Sequence, residues 1–150
     1  MTRFIRQYYS TGAGGYMKRH EKMIIDYYNG AYGRTIRIGV QEREWIVLLR
    51  DLVLQLINDM INCVDLLQME NVQYTNLSEL KLIKVSKSIY SNLLEISHKR
   101  MPPSFLWQQT KEELIVISEL IEGLLCADMA GHQYLTTDDG DILIELTYKE

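Results

Sequence analysis

The longest regular pattern of apolar residues lies between residues 40 and 69. Its main seam recurs at alternating spacings of three and four residues, at Ile46, Leu49, Val53, Leu56, Met60, Cys63 and Leu67. A second apolar stripe follows the same rhythm beside it, at Leu54, Ile57, Ile61 and Val64. These spacings predict a helix that is apolar around most of its circumference. Such a helix must be enclosed by several partners, so we expect the central helix of a bundle here.

Two more segments show helical spacing. Residues 76–100 carry an apolar line at Leu82, Val85, Ile89, Leu93 and Ile96, and Pro102-Pro103 follows as a stop. Residues 104–129 carry a line at Leu114, Ile117, Ile121 and Leu124, and Gly131 follows as a stop. The first segment has an N-cap signal in Asn76 and Glu79. The second has Ser104 and, further on, the capping-box pair Thr110 and Glu113.

The period changes towards the C-terminus. Residues 133–148 contain an alternating apolar stretch, and Asp139-Gly140 lies near their centre. This pattern predicts a β-hairpin with a tight turn. A hairpin alone is only marginally stable in water, so it needs a further strand, for which residues 34–40 are the candidate. Near the other end of the chain, residues 16–28 predict a short helix that stops at Gly30.

These elements together predict a single domain of mainly α class. It is a three- to four-helix bundle with a small C-terminal β-hairpin, which residues 34–40 extend to a three-stranded sheet. A chain of 150 residues corresponds to one domain and is long enough to bury a hydrophobic core without metals or disulfides. Its predicted parts are a basic, Tyr- and Gly-rich segment (1–39), the bundle (40–131) and the hairpin (132–150).

Composition adds an expected compartment. Two cysteines, Cys63 and Cys126, lie inside apolar patterns and are expected to be buried thiols without the spacing of a redox or zinc site. The N-terminal residues show no apolar stretch of signal-peptide type. Charged residues interrupt the most apolar segment, 45–67, so we do not expect it to span a membrane. These features predict a cytoplasmic protein with no membrane partner.

Charge is distributed unevenly around the net value of −4. Residues 1–37 contain seven basic and two acidic residues, whereas residues 38–150 contain nine basic and eighteen acidic residues. The basic part holds two similar stretches, YYSTGAGGYMKR and YYNGAYGRTIR, in which tyrosine pairs and glycines precede basic residues. Because tyrosine rings stack on bases and Lys and Arg neutralise phosphates, the segment predicts docking on nucleic acid or on an acidic protein surface. The candidate contact residues are Arg3, Arg6, Tyr8, Tyr9, Tyr16, Lys18, Arg19, Lys22, Tyr32, Arg34 and Arg37.

Acidic residues on the third predicted helix supply an alternative function. Glu119 and Glu122 are three residues apart and share a helix face. Pairs of this kind hold Mg²⁺ in the helical nucleotide pyrophosphohydrolases, which this chain resembles in class. That family needs a second acidic pair on a neighbouring helix, where this chain has Asp51, Asp59 and Asp65. The alternative prediction is a Mg²⁺-dependent, all-α enzyme similar to those pyrophosphohydrolases.

The favoured hypothesis is a non-enzymatic protein that works by assembling, with itself or with a host complex. The chain shows no P-loop or nucleophile elbow, so we assign no catalytic residue, metal or cofactor. The apolar excess of the central helix predicts a homo-oligomer interface at Ile46, Leu49, Val53, Leu56 and Met60. The basic segment has three open partners: nucleic acid, another protein, or the acidic part of its own fold. Small helical proteins are frequent among phage and mobile-element products, which is the source we expect by association.

Overall fold

The computed structural model describes residues 23–98, 101–136 and 141–150. Within these ranges the chain forms nine strands and two α-helices, so the protein has an α/β fold and the predicted mainly α bundle is wrong. The first half (residues 23–86) contains β1 (Met23–Gly30), β2 (Gly33–Val40), α1 (Arg43–Ile57), β3 (Cys63–Asp65), β4 (Val72–Thr75) and β5 (Glu79–Lys84). The second half (residues 87–150) contains β6 (Asn92–His98), β7 (Met101–Gln109), α2 (Lys111–Ala127), β8 (Gly131–Tyr134) and β9 (Ile142–Tyr148). Two short 3-10 helices lie at Leu66–Gln68 and Ser88–Tyr90.

The strands form two mixed sheets. One has five strands in the order β4-β1-β2-β9-β8, and the other has four in the order β3-β5-β7-β6. At the centre of the first sheet β2 runs parallel to β9, and at the centre of the second β5 runs parallel to β7. Each of these parallel pairs joins one strand from each half of the chain. Both sheets therefore need both halves.

The two halves repeat one arrangement. In each, an antiparallel hairpin leads into an α-helix, and an antiparallel pair follows (β3 with β5, β8 with β9). The last strand of each half then pairs with the hairpin of the other half. The residue after that strand makes the same hydrogen bond in both halves, from Lys149 N–H to the Val40 carbonyl (3.0 Å) and from Val85 N–H to the Gln109 carbonyl (2.9 Å). The fold is thus an approximate two-fold repeat in which the halves exchange strands.

Both helices and one face of each sheet share a single hydrophobic core. The helices contact each other, and their buried positions correspond between the halves, with α2 shifted by one residue relative to the strands. The corresponding pairs are Ile46 and Leu114, Leu49 and Ile117, Val53 and Ile121, and Leu56 and Leu124. The largest side chains in this core are Trp107, Tyr148 and Phe105. Burial of these faces is the main stabilisation that the fold offers.

The predicted central helix at 40–69 is wrong in length. α1 ends at Ile57, and Asp59 just beyond it adopts a φ of 59°, in the left-handed region. The Met60 N–H donates to the Gln55 carbonyl (2.9 Å), which closes the turn after the helix. The chain then enters β3 and a 3-10 helix, so the apolar residues after position 60 belong to those elements.

The predicted helix at 76–100 does not form. Its residues build β5, a 3-10 helix and β6. In β5, Leu80 and Leu82 are buried, whereas Lys81 and Ile83 lie on the other face of the strand. Apolar residues at helical spacings can also fit the alternation of a strand, if the residues between them are apolar or β-branched. Pairing of β5 with β7 decides between the two, because strand preference depends on tertiary contacts.

The predicted helix at 104–129 is correct only in its second part. Residues 104–109 belong to β7, and α2 begins after the N-cap Thr110. The Thr110 hydroxyl accepts from the Glu113 N–H (3.2 Å), and the Glu113 carboxylate accepts from the Thr110 N–H (2.8 Å). The predicted capping box is therefore confirmed. Gly131 does not stop the helix but begins β8.

The end of α2 is tied to β9 through Asp128. This C-cap residue has a φ of 47°, and its carboxylate accepts a hydrogen bond from the Tyr148 hydroxyl (2.8 Å). That hydrogen bond, with the positive charge of Lys149, lowers the pKa of Asp128 below its usual 3.8. The carboxylate therefore stays ionised and holds the helix end against the sheet.

Of the remaining predictions, some are confirmed, some are wrong and some concern residues outside the described ranges. β8 and β9 form the predicted C-terminal hairpin, and residues 34–40, within β2, pair with it, although the sheet has five strands rather than three. The predicted Asp139-Gly140 turn lies outside the described residues. Of the predicted helix at 16–28, residues 23–28 belong to β1 and the rest lie outside the described ranges. Cys63 and Cys126 are exposed, so the expected buried thiols are wrong.

Neither of the two described α-helices combines the length and the apolar character that crossing a membrane requires.

Candidate partner-binding surface

The segment from Ile89 to Ile96 contains four exposed large apolar side chains, more than any other stretch of eight described residues. Ile89 is 79% exposed, Tyr90 is 55% exposed, and Leu94 and Ile96 are each 43% exposed. The first two lie in the 3-10 helix that leads into β6, and the other two lie on β6 itself. Groups of exposed apolar side chains are typical of protein contact sites. We call these four residues the β6 surface.

β6 has one face in the core and one open edge. Leu93 packs against the core, and Glu95 on the same face pairs with Arg34 of β2. Leu94 lies on the opposite face, across from Leu106 of β7. Because β6 is the last strand of its sheet, no strand within the described ranges pairs with its outer edge.

The other three edge strands are better protected than β6. β3 has three residues and β4 and β8 have four each, whereas β6 has seven. Edges are normally protected by shortness, by lysine or proline, or by a bulge. β6 contains no lysine or proline, and its single Glu is turned towards Arg34. Its only interruption is a change of register between Ile96 and His98, so residues 92–96 remain a regular edge.

Most of the predicted docking residues belong to the N-terminal segment 1–22. Eight of them lie outside the described residues: Arg3, Arg6, Tyr8, Tyr9, Tyr16, Lys18, Arg19 and Lys22. Tyr32 is exposed in the turn between β1 and β2. Arg34 pairs with Glu95 and also donates to the Tyr27 hydroxyl (3.4 Å).

Arg37 lies on the opposite face of β2 from Arg34. Its guanidinium makes two hydrogen bonds to the Asp26 carboxylate (3.2 and 3.3 Å) and lies 5.4 Å from the centre of the Tyr28 ring. Two of the predicted cations are thus brought onto one strand, but each already has a carboxylate partner.

The described residues carry an excess of negative charge. They include nine basic and seventeen acidic residues, which gives 9 − 17 = −8. Seven of the nine basic side chains form ion pairs with carboxylates: Arg34, Arg37, Arg43, Arg50, Lys81, Lys84 and Lys149. Binding of a polyanion depends on cations that can replace its counterions. The described part of the chain offers few cations without a carboxylate partner, so a nucleic-acid contact would depend on the basic residues of 1–22.

The predicted oligomer-interface residues lie mainly inside the protein. Ile46, Leu49, Val53 and Leu56 are buried in the core, where other parts of the same chain cover them. Met60, just beyond the end of α1, is exposed. Four of these five positions therefore serve the core of this chain.

The β6 surface itself was missed by the sequence reasoning. Ile89, Leu93 and Ile96 were assigned to the apolar line of a helix, and Leu94 was not singled out. A signal was present, because residues 92–97 read Asn-Leu-Leu-Glu-Ile-Ser, in which a strand places Leu94 and Ile96 on one face. The sequence alone could not show that this strand lies at an edge.

The acidic residues of the alternative enzyme hypothesis are not grouped as a metal site within the described residues. Glu122 of α2 (2.8 Å) and Asp51 of α1 (3.4 Å) both pair with the cation of Arg50. Glu119 is exposed one turn before Glu122. Within residues 23–98, 101–136 and 141–150, no group of three or more His, Cys, Asp or Glu side chains is placed to hold a metal ion. The described residues therefore give the magnesium hypothesis no support.

Comparison of the chain with protein-family models, with curated proteins and with solved structures found no match. The case for a function therefore rests on the surfaces and the charges of this chain.

Proposed function

We propose that this protein is a non-enzymatic interaction protein that assembles with a second copy of itself through β6. The observation that carries the proposal is the β6 surface, where four exposed apolar residues accompany the least protected edge of either sheet. Strand addition to an open edge is a common mode of recognition, because main-chain hydrogen bonds supply affinity. Apolar side chains next to the edge add area that both partners remove from water.

The β6 edge is suited to its own copy. In an antiparallel pair centred on Leu94, that residue meets its counterpart and Ile96 lies opposite Asn92. Glu95 then lies opposite Leu93 and keeps Arg34 as its own partner, so no like charges meet across the pair. A two-fold axis through this pair uses the same surface on both copies, which is the condition for a closed dimer. The two four-stranded sheets would become one sheet of eight.

The test is the mass of the protein in solution. We expect sedimentation of the wild-type protein to give a molar mass twice the 17.6 kDa of one chain. Leu94→Lys places two ammonium groups opposite each other at the centre of the pair, where the side chains are about 5 Å apart. Juxtaposed like charges in an interface cost several kcal/mol, so the dissociation constant should rise at least about 100-fold. Analytical ultracentrifugation over a concentration series measures this change.

Ile24→Lys is the matched control. Ile24 is 47% exposed on β1, but that strand already has β2 and β4 on its two sides, so the dimer should survive. A wild-type chain that stays monomeric at about 0.1 mM, where a contact with a Kd of about 1 µM is saturated, contradicts the proposal. Dimers that persist in Leu94→Lys contradict it too. A monomer whose β6 amides respond instead to an extended apolar peptide would assign the edge to a foreign strand.

The basic N-terminal residues support a second contact, with single-stranded nucleic acid. Residues 1–22 include five basic residues, one acidic residue and three tyrosines, whereas the described residues have a net charge of −8. Stacking on tyrosine and neutralisation of phosphates are how single strands are held without sequence preference. In this proposal, assembly through β6 brings two such segments into one particle.

Neutralisation of Lys18, Arg19 and Lys22 together tests this contact. Binding of a fluorescent oligonucleotide should weaken steeply with salt in the wild type, and the triple variant should show a smaller salt slope and lower affinity. Leu94→Lys provides a comparison in which the basic segment is intact. Unchanged binding in the triple variant removes the nucleic-acid contact, and an absence of any salt-sensitive binding leaves the segment for an acidic protein surface.

A further inference from the structure

A pocket of about 460 Å³ lies where the two hairpins and the β4–β5 connection meet. The end of β1 supplies Tyr27, Tyr28 and Asn29, and β2 supplies Arg34. Asn76 follows β4, and the proline pair 102–103 lies near the start of β7. The volume is within the range of small-molecule sites. None of the four residues of the β6 surface lines it, although Arg34 pairs with Glu95 of the same strand.

The walls of the pocket are held together by hydrogen bonds. The Asn76 side-chain amide donates to the Tyr27 carbonyl (3.3 Å), which joins the β4–β5 connection to β1. The Ser78 hydroxyl donates to the Pro102 carbonyl (3.0 Å), and the Ser78 N–H donates to the Pro103 carbonyl (2.9 Å). These bonds connect all three segments, so the pocket is formed before any ligand binds.

Arg34 gives the pocket its charge, and no other ionised side chain of the described residues lines it. One guanidinium nitrogen, Nη1, donates to Glu95 and to the Tyr27 hydroxyl. These hydrogen bonds, of which that to Tyr27 is the stronger influence, raise the pKa of Arg34. The Tyr27 ring is held in turn against Phe105, with ring centres 4.9 Å apart. The guanidinium is therefore fixed along one edge, while its other nitrogens have no hydrogen-bond partner among the described residues.

The remaining polar groups are mostly donors. Asn29 and Asn76 offer side-chain amides, and Asn29 is the cross-strand neighbour of Arg34 on the same face of the sheet. The proline rings and the Tyr27 ring supply apolar walls beside these donors. A ligand that fits has an anionic acceptor group on a flat or apolar body.

We propose that this pocket binds a single carboxylate, presented either by a small aromatic acid or by a Glu side chain of an extended peptide. The free edge of the Arg34 guanidinium donates two hydrogen bonds to the carboxylate, in the two-bond geometry that arginine favours. The Asn29 and Asn76 amides complete its hydrogen bonds, and the body of the ligand lies against Tyr27 and the proline rings. A group with two negative charges is disfavoured because Arg34, the one cation among the described residues that line the pocket, is already shared with Glu95.

The experiment uses the full chain and two probes with the same chemistry. One is benzoate, and the other is an end-blocked alanine peptide with one central Glu. Saturable NMR shifts of the Asn29 and Asn76 side-chain amides are expected with at least one probe, and benzamide and the matching Gln peptide should give none. Response to benzoate alone identifies a small-molecule site, and response to the peptide alone identifies a peptide site. An absence of saturable shifts with both probes overturns the proposal.

Two variants and a control separate binding from folding. Arg34→Gln should weaken binding of the responding probe at least tenfold. Asn29→Asp should do the same, because it sets a negative charge beside the carboxylate while this exposed position keeps its shape. Arg43→Gln removes an arginine that also pairs with a carboxylate, Asp128, but does not line the pocket, so affinity should be unchanged. Equal loss in all three, or equal affinity for inorganic phosphate, would refute the carboxylate assignment.

Discussion

Cleavage of the chain between Ser86 and Lys87 is expected to leave a folded, nicked protein whose two pieces lose their structure once they are separated. Both residues are exposed, in the connection between β5 and the 3-10 helix at Ser88–Tyr90. A protease site inserted there should therefore not disturb the core. The loss of structure is expected only when the two pieces are separated, because the hydrogen bonds between strands of different halves are then lost.

The exchange of strands between the halves is the physical reason. Without the second half, β2 loses β9 and β5 loses β7, so the central strand of each sheet becomes an unpaired edge. The contact between α1 and α2 is lost as well, which exposes the buried face of each helix. What remains of the first half is a hairpin with β4, a helix and two short strands, which bury too little apolar surface to offset the entropy of ordering the chain.

Amide NMR spectra of the nicked protein, of each purified piece and of the remixed pieces test this prediction. The nicked and remixed samples should show the dispersed spectrum of the intact protein, and each piece alone should show the narrow spectrum of an unfolded chain. The uncut protein with the same inserted site is the control for the insertion. A piece ending at residue 86 that unfolds cooperatively by itself would mean that the first half is an independent domain.

The sequence predicted the elements that local signals define. α1 was found from the Ile46–Leu56 seam, the start of α2 from the Thr110 and Glu113 capping box, and the β8–β9 pair from its alternation. The helix predicted at 76–100 was wrong, because Leu82, Val85 and Ile89 fit a helical period as well as they fit strands and a turn. Only the parallel pairing of β5 with β7, which no local signal encodes, resolves that ambiguity.

The internal repeat was hidden for a related reason. Equivalent positions keep their apolar character but not their identity, as Ile36 corresponds to Phe105 and Ile38 to Trp107 by their places in the two sheets. The candidate surfaces were hidden too. The exposure of Leu94 follows from β6 being the last strand of its sheet, and the pocket at Arg34 joins segments about seventy residues apart. Both depend on pairing that the sequence pattern does not specify.

Phe105→Ala is expected to destabilise the protein by about 3–5 kcal/mol, which is a large part of the stability of an ordinary domain. Phe105 is fully buried on β7, and its ring contacts Tyr27 of the other sheet, so its removal leaves a cavity between the sheets. The same substitution also frees the Tyr27 ring, which helps to hold Arg34 in the pocket. Urea denaturation followed by Trp fluorescence measures the free energy of unfolding.

Two further variants make this result interpretable. Phe105→Leu keeps most of the apolar volume and should cost clearly less than Phe105→Ala, because the cavity that remains is smaller. Tyr74→Ala removes an exposed aromatic ring from β4 and should change the free energy of unfolding by no more than about 0.5 kcal/mol. All variants need the Leu94→Lys background, because dimerisation would make stability depend on protein concentration. A destabilisation below about 1 kcal/mol for Phe105→Ala would show that the two sheets do not close over this residue. Removal of a phenyl ring from a fully enclosed site leaves a cavity and costs more than that.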